Sequence, residues 1–317
     1  MLVYLNGDFV PKAEARLPVD DRGFLFGDGI YEVTRAVDGR LFEVDRHLER
    51  LRNGAAALAL PLSAATVAEM PAIWERLLAA NGLTTGEAMV YLQVTRGAAP
   101  RTHQFPPAGT PPTIFASASP LLPPDAVRAR GAAVVTYPDI RWARCEIKSV
   151  NLLPNVLAKQ AAAEAGAFEA LFVREDGVVT EGAQTTAFAV IDGVLRTHPL
   201  TPRILPSVTR AVVLELAAEL GIAVREEAFD RAAMLAAGEL FVASTTADVM
   251  PVVRVDGQAV GDGAPGPIAR ALAEAIAARL GRAPVAGAPG AGAPGAGAPA
   301  TPPAAGASRA AGATARC

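Results

Sequence analysis

The sequence predicts an α+β (mixed α/β) protein of two domains, and three observations carry that expectation. With 317 residues and 51% hydrophobic content the chain can bury a sizeable core, and its length suits two domains. Apolar runs of strand character are interleaved with helical stretches, without the regular βαβ spacing of a doubly wound nucleotide fold. The proline-rich stretch 120–124 then reads as the connection between a small α+β domain over residues 1–120 and a larger domain over 121–283.

Residues 3–10 are two short apolar runs joined through Asn6-Gly7, a hairpin signal, and Asp38-Gly39 joins 29–37 to 40–42 in the same way. Asp45 is placed to cap a helix reaching about residue 57, and Ser63 another reaching about residue 81, with Pro71 inside the second predicting a kink or a split. Alternation over 89–95 and 113–117 predicts two strands. Beyond the connection, 132–136 reads as strand, 153–165 as helix with Pro154 tolerated in its first turn, and 169–173 as strand. Asp176-Gly177 and Asp192-Gly193 mark further hairpin turns, the second joining 186–191 to 194–197. Ser207 caps a helix that runs to Leu220 and stops at Gly221. Strands over 239–243 and 249–255 and an amphipathic helix over 265–280 complete the order. From 284 to 317 the composition turns to Ala, Gly and Pro; too little bulky apolar surface remains to offset the entropy of ordering, so a disordered tail is predicted.

The formal charge is -3, and two of the arginines, Arg309 and Arg316, lie in that tail. No basic face is left to follow a phosphate backbone, which argues against a nucleic-acid partner. No long uncharged apolar run appears and the first residues lack a basic segment, so neither a membrane span nor export is predicted and a cytoplasmic location is expected. The two cysteines, Cys145 and Cys317, have no metal-ligand spacing, and no metal is expected.

Of the 29 basic residues only three are lysines, Lys12, Lys148 and Lys159. Lys148 lies in the mostly uncharged run Ile147-Lys148-Ser149-Val150-Asn151-Leu152-Leu153. An amine, unlike a guanidinium, can lose its proton when desolvated and attack a carbonyl, so Lys148 is a candidate imine-forming residue. On that stretch alone a lysine snorkelling from a helix end is the better reading. Downstream stands Thr180-Glu181-Gly182, and a pyridoxal phosphate enzyme needs both a lysine and an acidic partner for the pyridine nitrogen.

Lysine in I-K-S-x-N-x-L followed by T-E-G resembles the signature of the class IV aminotransferases, the fold-type IV pyridoxal phosphate family, and the resemblance runs from about Tyr4 to Ala283. It implies a small N-terminal domain, a larger C-terminal domain with a mixed sheet or barrel, and pyridoxal 5'-phosphate as cofactor. By the same resemblance Lys148 bonds the cofactor and moves the proton, while Glu181 keeps the pyridine nitrogen protonated. Arg50, the amides of Val208 and Thr209 at a helix N-terminus, and Thr245 with Ser244 would hold the phosphate, and Leu205 would lie on the ring. Taken without the family, Arg50 reads as a solvated helix face and the Ser207 region as an ordinary cap. The family's serines and asparagine after T-E-G are replaced here by Ala183-Gln184-Thr185-Thr186, which puts that turn's hydrogen bonds in doubt.

Tyr31, Arg101 and His103 match positions at which the family's D-amino acid enzymes hold the substrate carboxylate, and Thr246 is a further substrate-binding candidate by the same resemblance. The resemblance is therefore strongest to those enzymes and implies ping-pong transamination between a D-amino acid, such as D-alanine, and a 2-oxo acid such as 2-oxoglutarate, in a homodimer with shared active sites. A branched-chain L-amino acid or (R)-amine aminotransferase, or an aminodeoxychorismate lyase, would use the same cofactor motifs with a different carboxylate trap. An inert cofactor-binding protein would keep the scaffold and let Lys148, Glu181 or Tyr31 drift. His47 and His198 have no comparable company in sequence.

Overall fold

A computed structural model describes residues 1–282; the predicted tail over 284–317 lies outside the described residues. The first sheet is antiparallel and six-stranded, in the order β2 (Asp8–Pro11), β1 (Leu2–Leu5), β6 (Thr113–Pro120), β5 (Glu87–Thr95), β3 (Gly29–Val37), β4 (Arg40–Leu41). Helices α2 (Val44–Ala57) and α3 (Ala64–Ala80) cover it, burying Leu48 and Leu51 from one and Val67, Met70, Trp74 and Leu77 from the other against Val90, Leu92 and Ala116 of the strands. That buried face explains why α3 continues through Pro71 instead of splitting there. An interior proline costs about 3 kcal/mol, and each large apolar side chain on the face returns roughly 1.5–3. Asp45 does not cap α2. The helix starts one residue earlier, after Glu43 in a left-handed conformation, and Asp45 sits in the first turn, where its charge still favours the helix dipole.

The second sheet has nine strands and is mixed. Its order is β12 (Val224–Arg225), β11 (Val194–Thr197), β10 (Thr186–Ile191), β13 (Glu239–Ser244), β14 (Asp248–Val255), β7 (Ala132–Pro138), β8 (Glu169–Val173), β9 (Val179–Gly182), with β15 (Gln258–Ala259) on β14, and it curls into half a barrel. Two parallel crossovers run through a helix, β7 to β8 through α5 (Leu153–Glu164) and β11 to β12 through α6 (Val208–Glu219), and β14 also pairs with β7 in parallel. β10 and β13 are buried on both faces: Ala187, Ala189, Leu240 and Val242 face one core, Phe188 and Phe241 the other. The second core is closed by α6 (Val208–Glu219) and α8 (Pro267–Arg279). Two-sided burial is why these strands read as continuous apolar runs. Three short helices escaped the sequence reading: α1 (Arg22–Phe26), α4 (Asp125–Arg130) and α7 (Arg231–Leu235). Of these, α1 and α7 are capped by the side chains of Asp21 and Asp230. Among the described residues no helix is long and apolar enough to cross a membrane.

The sheets meet in a buried charge network. Arg35 of β3 pairs with Glu87 of β5 and with Asp248 of β14; Arg128 and Arg282 share the Asp248 carboxylate at 3.2 and 2.7 Å, and Arg282 also reaches Glu87 at 2.9 Å. Charges this deep are tolerated because each has a partner of opposite sign.

Candidate active site

Lys148 lies in the turn-rich segment before α5, fastened to the open end of β3. Ser149 bridges Ile30, Tyr31 donates its N–H to the Lys148 carbonyl at 3.0 Å, and Val150 donates to the Gly29 carbonyl at 3.0 Å. The Lys148 Nζ therefore sits 4.2 Å from the centre of the Tyr31 ring. Gly27 permits this approach: it ends α1 with φ 66°, and a Cβ there would fall 2.2 Å from the Asn151 side chain.

Tyr31 and Lys148 open into a cavity of about 900 Å³. Arg50, Glu181, Leu205, Ser244, Thr245 and Thr246 line it as well, so eight of the sequence-predicted site residues meet in one place. Val208 and Thr209 open α6 directly after Ser207, which lines the cavity, and their amides precede the first intrahelical hydrogen bond. Arg101 and His103 are exposed, on the segment between β5 and β6, and are not among the residues lining this cavity.

Arg50 is no solvated helix face. It is buried, donates to both oxygens of Glu32 at 2.8 and 2.7 Å, and reaches the Pro206 carbonyl at 3.1 Å, beside the start of α6. His47, one turn earlier on α2, has company after all: its Nδ1 lies 2.8 Å from Glu32. Burial lowers the His47 pKa, and an ionised carboxylate only accepts, so Nδ1 of the neutral ring carries the proton. For Glu32, burial alone would raise the pKa, but the Arg50 charge and the hydrogen bonds from Arg50 and His47 outweigh it and hold the carboxyl at about 2. A glutamate within the buried strand Ile30-Tyr31-Glu32-Val33 was the available signal for this group.

Glu181 pairs with Arg141 and accepts the Leu205 amide at 3.1 and 3.2 Å. Burial pushes its pKa up, opposed by Arg141 and by the amide. Arg141 in turn is held by Asp139 at 2.9 Å, and nothing in the local sequence marked either residue. Cys145 lies on the same wall, its thiol directed at the Trp142 carbonyl and pushed up by burial to about 11, which makes it an inert packing group.

The altered turn after Glu181 builds its own support. Glu169 accepts from the Gln184 amide and the Thr185 hydroxyl, both at 3.1 Å, and the Asn155 amide donates to the Ala183 carbonyl at 2.8 Å. Thr186 lines the cavity with a buried hydroxyl that has no partner in the protein. Buried polar groups are rarely left unpaired, so a polar ligand fits here. The set as a whole suits a phosphorylated pyridine aldehyde: an amine, a carboxylate, an arginine beside a helix N-terminus for the phosphate, an apolar Leu205, and one hydroxyl still in need of a bond.

Known proteins agree with that chemistry. The family model described as amino-transferase class IV matches residues 29–255. D-Alanine aminotransferase of Bacillus licheniformis is 43% identical over 270 residues, which cover 85% of this chain and 94% of that protein. Among solved structures, the branched-chain amino acid aminotransferase of Escherichia coli superposes with a TM-score of 0.81 at 27% identity, covering 88% of this chain and 94% of that one. A hypothetical aminotransferase from Mycobacterium tuberculosis in its pyridoxal phosphate-bound form gives 0.75 at 25% identity, covering 88% and 99%. A cavity that gathers Lys148, Glu181 and Arg50, on a chain matched over most of its length, has one family to go with it: this protein belongs to the class IV aminotransferases and is a pyridoxal phosphate-dependent enzyme.

Proposed function

We propose that the enzyme transfers the amino group of a D-amino acid, with D-alanine as the type, to a 2-oxo acid such as 2-oxoglutarate by a ping-pong cycle. The observation that carries this reading is the convergence of the Lys148 amine, the Glu181 carboxylate and the Arg50 and α6 anion site on one cavity. Sequence supports the D-amino acid over the branched-chain alternative: identity is 43% to a D-alanine aminotransferase and 27% to a branched-chain enzyme of closely similar fold. Pyridoxal phosphate, when bound, supplies an aldehyde for an amine and a ring that accepts electrons from Cα. Lys148 is the residue that would hold the cofactor covalently, and its Nζ is the group placed to move a proton at the substrate Cα. Glu181 would face the ring nitrogen and keep a proton there. Arg50, Ser244, Thr245 and the amides of Val208 and Thr209 bind the phosphate, Leu205 excludes water from one ring face, and Tyr31 and Thr246 border the substrate.

The working form is a cytoplasmic homodimer in which Arg101 and His103 of one subunit complete the carboxylate trap of the other. Two features support this arrangement. Neither residue reaches the cavity of its own chain, and α5 exposes Leu153, Val156 and Leu157 along one face, a patch of the kind that partners cover. Removing Arg101 is expected to cost about 2–5 kcal/mol of transition-state binding for a D-amino acid, as when one member of a desolvated charge pair is truncated. A panel of D- and L-donors with 2-oxoglutarate tests the substrate, and faster turnover of L-leucine or L-valine than of D-alanine refutes it. Mixing Lys148→Ala with Arg101→Ala subunits tests the sharing. One pocket of a mixed dimer then contains an intact Lys148 and an intact Arg101, so activity returns on subunit exchange; exchange without recovery places Arg101 in its own chain's site.

A further inference from the structure

The segment bearing Arg101 and His103 is exposed, yet it is gripped from below. At its neck Gly97 takes φ 89°, and a Cβ there would stand 2.0 Å from the Pro111 carbonyl, so the two ends of the segment are in contact. Beneath it lies a half-buried carboxylate shared by two buried arginines. Asp28 accepts from Arg22 Nε at 2.8 Å and from Arg96 Nε and a terminal nitrogen at 2.8 and 3.0 Å. Each arginine has donors left over, and these go to the chain. Arg96 reaches the Leu58 and Ala59 carbonyls at 2.7 and 2.8 Å, and its guanidinium lies 3.7 Å from the centre of the Phe105 ring. Arg22 donates to the carbonyl of Thr102, the residue between Arg101 and His103, at 2.7 Å. Phe26, at the end of α1, completes the support: Arg22 and Arg101 lie 4.7 and 5.1 Å from its ring centre, and the His103 ring lies 5.6 Å away.

We propose that Arg22, anchored by Asp28, and Phe26 are positioning residues for carboxylate recognition: they fix the backbone between Arg101 and His103 and give the two side chains a ring to pack against, so that the arm is preformed for the substrate carboxylate. This rests on the reading of Arg101 and His103 given above. A long arginine on a free loop loses much of its rotamer freedom when it grips an anion, and stacking on Phe26 removes part of that freedom in advance. The division of bonds also separates positioning from folding. Without Arg22 the Asp28 carboxylate keeps both of its bonds from Arg96, while the Thr102 carbonyl loses the one side-chain donor it has among the described residues.

The test uses the full chain loaded with pyridoxal phosphate and compares D-alanine with D-alaninamide, which lacks the carboxylate, by the single-turnover bleaching of the enzyme's yellow colour. Arg22→Ala is expected to lower the D-alanine to D-alaninamide rate ratio by about tenfold, mainly through weaker D-alanine binding, with melting temperature and colour retained. Phe26→Leu, which leaves the ion cluster intact, is expected to do the same and carries the test if Arg22→Ala fails to fold. Equal loss with both donors, or a ratio within about twofold of the parent in the folded variants, overturns the inference. Arg101→Ala separates the two levels. If it collapses the ratio while Arg22→Ala and Phe26→Leu do not, only the positioning role is wrong; if Arg101→Ala leaves the ratio unchanged, the carboxylate trap itself is wrong and the positioning role falls with it.

Discussion

Lys148→Ala is expected to lower D-alanine transamination by about 10⁴-fold or more, the scale of loss when one side chain supplies both the covalent link and the proton transfer. No other lysine can substitute. Lys12 is exposed beyond β2, and Lys159, although it borders the cavity, spends its ammonium on the Phe168 carbonyl at 2.7 Å and on Glu169 at 3.3 Å. Borohydride reduction of the loaded enzyme followed by peptide mass analysis checks the same assignment without relying on activity. The cofactor is expected on the peptide containing Lys148, and its recovery on Lys12 or Lys159 refutes the role given to this residue.

The second large effect is on stability. Glu32→Gln is expected to cost the unloaded enzyme about 3–5 kcal/mol at pH 7, because the buried Arg50 loses its carboxylate partner and the new amide turns donors towards its donors. The pH dependence has a defined sign. The Glu32 pKa in the folded protein, about 2, is below the ordinary 4.5, so the stabilisation is complete above about pH 4.5 and disappears as pH falls through 2. Denaturant unfolding of both proteins from pH 7 to pH 2 is the measurement: the parent loses this increment across that window and the variant shows a flatter profile. Cofactor affinity is expected to fall as well, since Glu32 aims Arg50 at the start of α6.

Glu32 also shows where reading a sequence stops. The strands and helices around it were legible because their periods and caps are local: Asn6-Gly7 turned where expected, and Ser207 caps α6 through the Arg210 amide. Lys148 and Glu181 could be picked out as candidates because covalent cofactor chemistry restricts the residue types that serve it, while Arg50 was a candidate only through the family resemblance. What holds them was not legible. Glu32 and Arg50 are 18 residues apart and lie on a strand and a helix, and Arg141 meets Glu181 from 40 residues away along the chain. Such pairs leave no period, only a charged residue in an apolar run. The caps of α1 and α7 were missed because helices of five residues are too short to show a repeat. Asp45 misled for a related reason: an acidic residue in a first turn and one at a cap look the same until the preceding backbone is known.

The Arg35 network bears on how this protein comes to exist. Arg35 and Asp248 are 213 residues apart, and Arg282, which closes the network on Glu87 and Asp248, is at the far end of the described chain. During synthesis the first sheet leaves the ribosome with Arg35 on a face the second sheet has yet to cover, and one of its two counter-charges, Asp248, not yet made. Translation at roughly 5–20 residues per second leaves that cation waiting on the order of ten seconds or more. The wall behind Thr245 is therefore finished only after nearly all of the described chain has been made, so a nascent chain truncated before Asp248 holds Lys148 and Glu181 without a closed site to put them in.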